Sequence, residues 1–115
     1  MLVVDDDDDL REMVAEMLEL EGFDVRAARN GREALDFLRS NPAPSVIVLD
    51  LMMPIMNGQE FRTEQLRDEQ LASIPVVLLT AAYDGRGQAQ AMQAAGYFSK
   101  PVEFEAFFEA LRAYS

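Results

Sequence analysis

Three short apolar runs, residues 2–4, 46–49 and 76–79, each end on a polar side chain, Asp5, Asp50 and Thr80 respectively. Runs so short and so continuously apolar are the mark of strands buried on both faces, as inside a parallel sheet. Parallel neighbours cannot be joined by a tight turn and need a crossover, usually a helix. The segments between the runs supply helical patterns, so the chain reads as a succession of βα units.

The first crossover places Leu10, Met13, Val14, Met17 and Leu18 at i, i+3, i+4, i+7 and i+8 spacing, with Gly22 as its C-terminal glycine. Val25 and Ala27 then alternate with charged residues, as on an edge strand. Asn30 followed by Glu33 resembles a capping box opening a second helix, whose Ala34, Leu35 and Leu38 face the core and which stops before Pro42 and Pro44. The helix after Gly58 is weakly amphipathic, with Phe61 and Leu66 as its anchors before Leu71. Residues 85–95 predict a loosely held helix, because Gly85 and Gly87 weaken its start and Ala89, Met92 and Ala94 are its apolar positions. Tyr97 and Phe98 form a short fifth strand, and Phe104, Phe107, Phe108 and Leu111 line one face of a last helix. The fold class is α/β: a doubly wound (βα)5 sandwich forming one domain over residues 1–115.

Ligands of doubly wound sheets collect at the carboxyl ends of the strands. Asp5 and Asp6, Asp50, Thr80 and Lys100 all stand there, and Lys100 is the only lysine of the chain. Carboxylates a few ångströms apart repel by about 4 kcal/mol per pair at an effective dielectric near 20, which raises carboxyl pKa values in the absence of a counter-charge. A hard divalent cation such as Mg²⁺ relieves this; it prefers oxygen donors and is commonly held by one or two carboxylates plus a phosphoryl oxygen. A lysine and a threonine hydroxyl beside the acids suit the same phosphoryl group, and phosphoryl transfer needs positioning and charge neutralisation above all. A carboxylate can itself be the nucleophile, giving an acyl phosphate.

Each feature has an ordinary reading when taken alone. A run of five aspartates, Asp5 to Asp9, is usually a solvated tract, and Asp7, Asp8 and Asp9 fit plain helix-start charges. Asp50 and Lys100 fit turn residues, and Thr80 fits a cap. Their joint position at four strand ends is what favours a common site. The Met and Phe stripes read as core.

Composition removes most competing chemistries. The chain has no His and no Cys, which excludes Ser–His and Cys–His catalysis, disulfides and thiolate metal sites. A formal net charge of −11 opposes nucleic-acid binding. Ten of the acids against one base, Arg11, fall within residues 1–24, so the acidity is regional. No apolar stretch is long enough to span a membrane, and Met1 leads directly into the first apolar run with no signal-peptide pattern, so the expected location is cytoplasmic.

The sequence at 2–6 (Leu-Val-Val-Asp-Asp), 48–54 (Val-Leu-Asp-Leu-Met-Met-Pro) with Met56-Asn57-Gly58, 79–81 (Leu-Thr-Ala) and 97–101 (Tyr-Phe-Ser-Lys-Pro) resembles the receiver domain of two-component response regulators over essentially the whole chain. The resemblance implies a flavodoxin-like five-stranded parallel sheet of order 2-1-3-4-5, an order for which a chemotaxis member of the family is a known example. It implies that Asp50 accepts a phosphoryl group from a phosphohistidine on a sensor histidine kinase or histidine phosphotransfer protein. Asp5, Asp6 and Asp50, with the Met52 carbonyl, would bind Mg²⁺ or Mn²⁺. Lys100, Thr80 and the backbone at Met52 and Ala81 would contact the phosphoryl group. Thr80 and Tyr97 would form the switch that alters the surface of helix 4, strand 5 and helix 5, and the bond before Pro101 would be cis.

The chain departs from the family pattern at several positions: Gln93 stands where glycine is usual, Arg62 and Glu64 stand near apolar positions, and the stretch from Thr80 to Lys100 is short. Met52 and Ala82, at positions that tune phosphoryl lifetime, carry neither carboxylate nor amide, which implies slow self-hydrolysis. Three rival readings remain. A haloacid-dehalogenase-type phosphohydrolase would use a second Asp where Met52 stands. A flavodoxin-like FMN binder would need a hydroxyl-rich loop where the aspartates stand. The third is a receiver degenerate in its chemistry and kept only for binding.

Overall fold

The computed structural model describes residues 1–114, and Ser115 of the expected domain lies outside the described residues. Five strands, β1 (Leu2–Val4), β2 (Arg26–Ala28), β3 (Ile47–Leu49), β4 (Val76–Thr80) and β5 (Gly96–Ser99), alternate with α1 (Asp8–Leu20), α2 (Gly31–Ser40), α3 (Gly58–Arg67), α4 (Gly85–Ala91) and α5 (Phe104–Leu111). A single 3-10 turn follows at Arg112–Tyr114. All strand pairs are parallel and the order is β2-β1-β3-β4-β5, as the resemblance implied.

Alternation along the central strands explains the continuous apolar runs. Leu2, Val4, Ile47, Leu49, Val76 and Leu78 point to one face, where Ala34, Leu35, Phe61, Ala89 and Met92 of α2, α3 and the end of α4 cover them. Val3, Val48, Val77 and Leu79 point to the other, against Val14 and Leu18 of α1 and Phe107, Phe108 and Leu111 of α5. Both faces are dry, so no polar residue is tolerated until the strands reach their carboxyl ends.

Helix starts follow side-chain chemistry. Asp7 caps α1 by accepting from Leu10 N–H. Asn57 and Glu60 make a reciprocal capping box at α3. The box expected at Asn30 is half formed: Asn30 accepts from Glu33 N–H, but Glu33 accepts from the Arg29 N–H instead. Gly22 has φ +95°, the left-handed conformation that lets the chain leave α1.

Several expected core positions differ. Met13 faces solvent, and α1 instead buries Arg11 with Val14 and Leu18. On β2 it is Ala28, not Ala27, that is buried, because the edge strand pairs in the register Val4↔Ala28. Leu66 is 42% exposed, while Arg62 and Gln65 are buried on the same helix. Arg62 Nε and Nη2 donate to the Met92 and Gln93 carbonyls at 3.0 and 3.1 Å, and its Nη1 donates to Gln65 Oε1 at 2.8 Å. Gln65 in turn donates to the Leu71 and Ile74 carbonyls. The pair ties four carbonyls together, of which Leu71 also accepts from Ile74 N–H, and these hydrogen bonds are why two polar residues occupy apolar-looking positions. Burial lowers the Arg62 pKa from its ordinary value. The predicted helix over 85–95 closes early, at Ala91, and Gln93 turns the chain with φ +56° at the position where glycine was expected.

Candidate phosphoryl and metal site

The register of the sheet builds the site. Val4 pairs with Leu49, so Asp5 and Asp50 leave adjacent strands side by side, and Asp50 N–H donates to the Val4 carbonyl at 3.0 Å. Asp5 and Asp50 are buried and Asp6 is exposed, yet one carboxylate oxygen from each lies within 4.8 Å of the others. Asp5 is held by the loop that starts α1. Its Oδ1 accepts from Asp7 N–H at 2.9 Å, and Arg11 Nη1 donates to its carbonyl at 2.9 Å. Arg11 was not among the residues singled out for the site; its one signal in the sequence is that it is the sole base within residues 1–24.

Lys100 reaches the same place from the end of β5. Its Nζ lies 2.8 Å from Asp5 Oδ2 and 3.2 Å from Asp50 Oδ2. Its backbone N–H donates to the Thr80 carbonyl at 3.1 Å, which locks the ends of β4 and β5 together, and the bond to Pro101 is cis. Burial dominates at Asp5 and holds its pKa above the ordinary value, against the lowering effect of the Lys100 hydrogen bond. Burial alone would lower the Lys100 pKa, but the hydrogen bonds and charges of Asp5 and Asp50 together outweigh it and hold the ammonium above its ordinary value. The two shifts differ in origin: burial raises Asp5, whereas the carboxylates of Asp5 and Asp50 raise the partly buried Lys100 against its burial.

Thr80 is the last residue of β4 rather than the first beyond it, and it is fully buried. Its Oγ1 accepts from Ala82 N–H at 3.1 Å. Met52 N–H points at Asp50 Oδ1 at 3.4 Å, a long contact, while the Met52 side chain and Ala81 are exposed. Tyr97 is not drawn into the acid cluster. It pairs with Leu78, two residues before the Thr80↔Ser99 pair that ends the two strands, and its ring packs on Gly85 of α4 with the Arg86 guanidinium 5.9 Å from the ring centroid.

The donor set fits a hard divalent cation, since it offers only oxygens, carries excess negative charge and has one exposed member, Asp6, through which an ion can enter. Lys100 neutralises one charge and leaves the cluster acidic.

Residues 1–112 match the response regulator receiver domain family. The chain is 46% identical over 81 residues to the transcriptional regulatory protein CpxR homolog of Haemophilus influenzae, covering 70% of this chain and 34% of that protein. It is 36% identical to response regulator MprA of Mycolicibacterium vanbaalenii, covering 98% of this chain and 48% of that protein. It is 29% identical to the polar-differentiation response regulator DivK of Brucella anthropi, covering 99% and 94%. The chain thus spans about a third and about half of the first two and nearly all of the third. Among solved structures, chemotaxis protein CheY4 of Vibrio cholerae superposes with TM-score 0.87 at 31% identity over 99% of this chain and 96% of that one. Response regulator protein TrrA of Thermotoga maritima, in complex with Mg²⁺ and BeF, gives 0.86 at 31% identity with the same coverage. A family match over 112 residues, on a sheet of the same order, has one meaning: the chain belongs to the receiver domains of two-component response regulators.

Proposed function

We propose that this chain, as one receiver domain over residues 1–115, takes a phosphoryl group onto Asp50 from a phosphohistidine on a sensor histidine kinase or histidine phosphotransfer protein. The observation that carries the reading is the Lys100 ammonium bridging Asp5 and Asp50, with Asp6 beside them. A cation already poised against the acceptor carboxylate is what an incoming phosphoryl group needs. Asp5, Asp6 and Asp50, with the Met52 carbonyl, would hold Mg²⁺ or Mn²⁺. A divalent ion there supplies positive charge that offsets the carboxylates and stabilises phosphoryl oxygens. Lys100 pairs with the phosphoryl oxygens, and the backbone at Met52 and Ala81 donates to them. Thr80 exchanges its bond to Ala82 for one to the phosphoryl group, and Tyr97 follows, altering the α4–β5–α5 surface.

In this reading the domain assists its own phosphorylation and dephosphorylation but turns over no separate substrate, and it works in the cytoplasm without binding nucleic acid. The test is incubation with Mg²⁺ and phosphoramidate or acetyl phosphate, followed by intact mass. A single phosphoryl adduct that disappears in Asp50→Asn is the expected result. An equal adduct in the variant removes Asp50 as the acceptor, and steady release of phosphate from a phosphomonoester would favour a phosphohydrolase instead.

A further inference from the structure

Arg11 is the one base among the ten acids of residues 1–24, and only 9% of it is exposed. It stands in the first turn of α1, where the partial positive charge of the helix N-terminus disfavours a cation. A guanidinium that is both desolvated and wrongly placed along its helix needs specific partners. It has two. Its Nη1 donates to the Asp5 carbonyl at 2.9 Å, and its Nη2 donates to Asp8 Oδ1 at 2.6 Å. The planar fork of an arginine can hold both at once, which a lysine ammonium does not reproduce.

The Asp5 carbonyl belongs to the peptide unit that joins Asp5 to Asp6, so the guanidinium grips the link between two of the three clustered carboxylates. Asp5 is fixed on its other sides as well: its N–H donates to the Ala28 carbonyl at 3.1 Å, and its Oδ1 accepts from Asp7 N–H at 2.9 Å. Asp6 differs from its neighbours. Its side chain is exposed and stands outside the Lys100 ion pairs, so the backbone that carries it sets its direction. We propose that Arg11 is a positioning residue for a divalent cation: with Asp8 as its outer anchor, it holds the Asp5–Asp6 peptide so that the Asp6 carboxylate stays within reach of those of Asp5 and Asp50. This rests on the reading of the three aspartates as a divalent-cation site. Charge and geometry make opposite demands on Arg11. As a charge alone the guanidinium repels a dication, so its removal would tighten binding; as a brace, its removal weakens binding.

The test is the Mg²⁺ dissociation constant of the folded proteins, measured by titration calorimetry with no phosphoryl donor present. Arg11→Met should raise it about ten- to a hundredfold, the range found for groups that orient metal ligands, and Arg11→Lys should recover part of that loss. Val14→Ala loosens the packing of α1 without touching the loop and should leave the constant unchanged, so lost stability does not imitate the effect. Asp8→Ala serves if Arg11→Met fails to fold, because the Asp8 side chain is 72% exposed. It should raise the constant about two- to fivefold, the range of an exposed ion pair, and should do so less beside Arg11→Lys, where the fork is already lost. A constant unchanged or lowered in Arg11→Met, or an Asp8→Ala effect of equal size in both backgrounds, overturns the brace and leaves the metal site standing. Absence of Mg²⁺ binding by the unsubstituted protein overturns the site and the brace together.

Discussion

The Lys100 ammonium sits nearer to Asp5, at 2.8 Å, than to Asp50, at 3.2 Å. In the metal-free protein the lysine therefore serves as the counter-ion of two buried carboxylates. Removing it in Lys100→Met leaves both without a cationic partner and should cost about 2–4 kcal/mol, read by urea unfolding in EDTA. Added Mg²⁺ should restore more stability to the variant than to the unsubstituted protein. Equal Mg²⁺ effects on the two would mean that lysine and metal do not share the same charges.

The same contact sets an alkaline limit. The Lys100 pKa is raised above its ordinary 10.5 in the folded state, so its contribution is fully present below that value and is lost as pH rises through the folded-state pKa. The stability difference between the unsubstituted protein and Lys100→Met should therefore shrink above about pH 10.5. A difference that stays constant across this range would show that the lysine acts through packing alone.

Asp6 separates metal binding from folding. It is exposed and makes none of the ion pairs to Lys100. Asp6→Asn should keep the metal-free stability within about 0.5 kcal/mol while reducing the rise in melting temperature produced by millimolar Mg²⁺. A full Mg²⁺ response in the variant would remove Asp6 from the ligand set.

Arg62 joins α3 to the end of α4 through two carbonyls. Arg62→Leu leaves those carbonyls and Gln65 Oε1 with fewer partners and should destabilise by about 2–4 kcal/mol. Hydrogen exchange should accelerate over residues 92–95. Retained protection there would mean that α4 is held by its apolar contacts alone.

Ile55 is a β-branched residue at φ +68° and is 81% exposed. The left-handed conformation costs such a residue roughly 1–2 kcal/mol, and nothing in the core repays it. Ile55→Gly should raise stability by up to about 1 kcal/mol, the gain being reduced by the greater chain entropy of glycine. A loss of stability would show that the side chain makes contacts worth more than the strain.

Much of the architecture was legible from pattern. The apolar runs at 2–4, 46–49 and 76–79 are strands buried on both faces, and the helices between them lie where their periodicity placed them. The strand-end rule brought Asp5, Asp6, Asp50 and Lys100 to one place, and the structure joins those four by direct contact or within 4.8 Å. What pattern missed was part of the buried face of α3. Leu66 read as an anchor and Arg62 as a departure, because periodicity scores a side chain by its own polarity and not by the partners it will meet.

Sequence alone determined the alternation of strand and crossover, the burial of the central strands and the set of polar residues at their ends, since these follow from local periodicity and from the absence of water inside a two-faced sheet. Only the tertiary structure decided that Arg62 would be buried, that Ala28 and not Ala27 would face the core, and that Lys100 would bridge two aspartates. Each of those depends on register or on a partner far along the chain: Arg62 meets the Met92 carbonyl 30 residues away and Lys100 meets Asp50 at a separation of 50. A desolvated polar group is stable only where such a partner arrives, and its arrival is a property of the assembled sheet and helices rather than of any one segment.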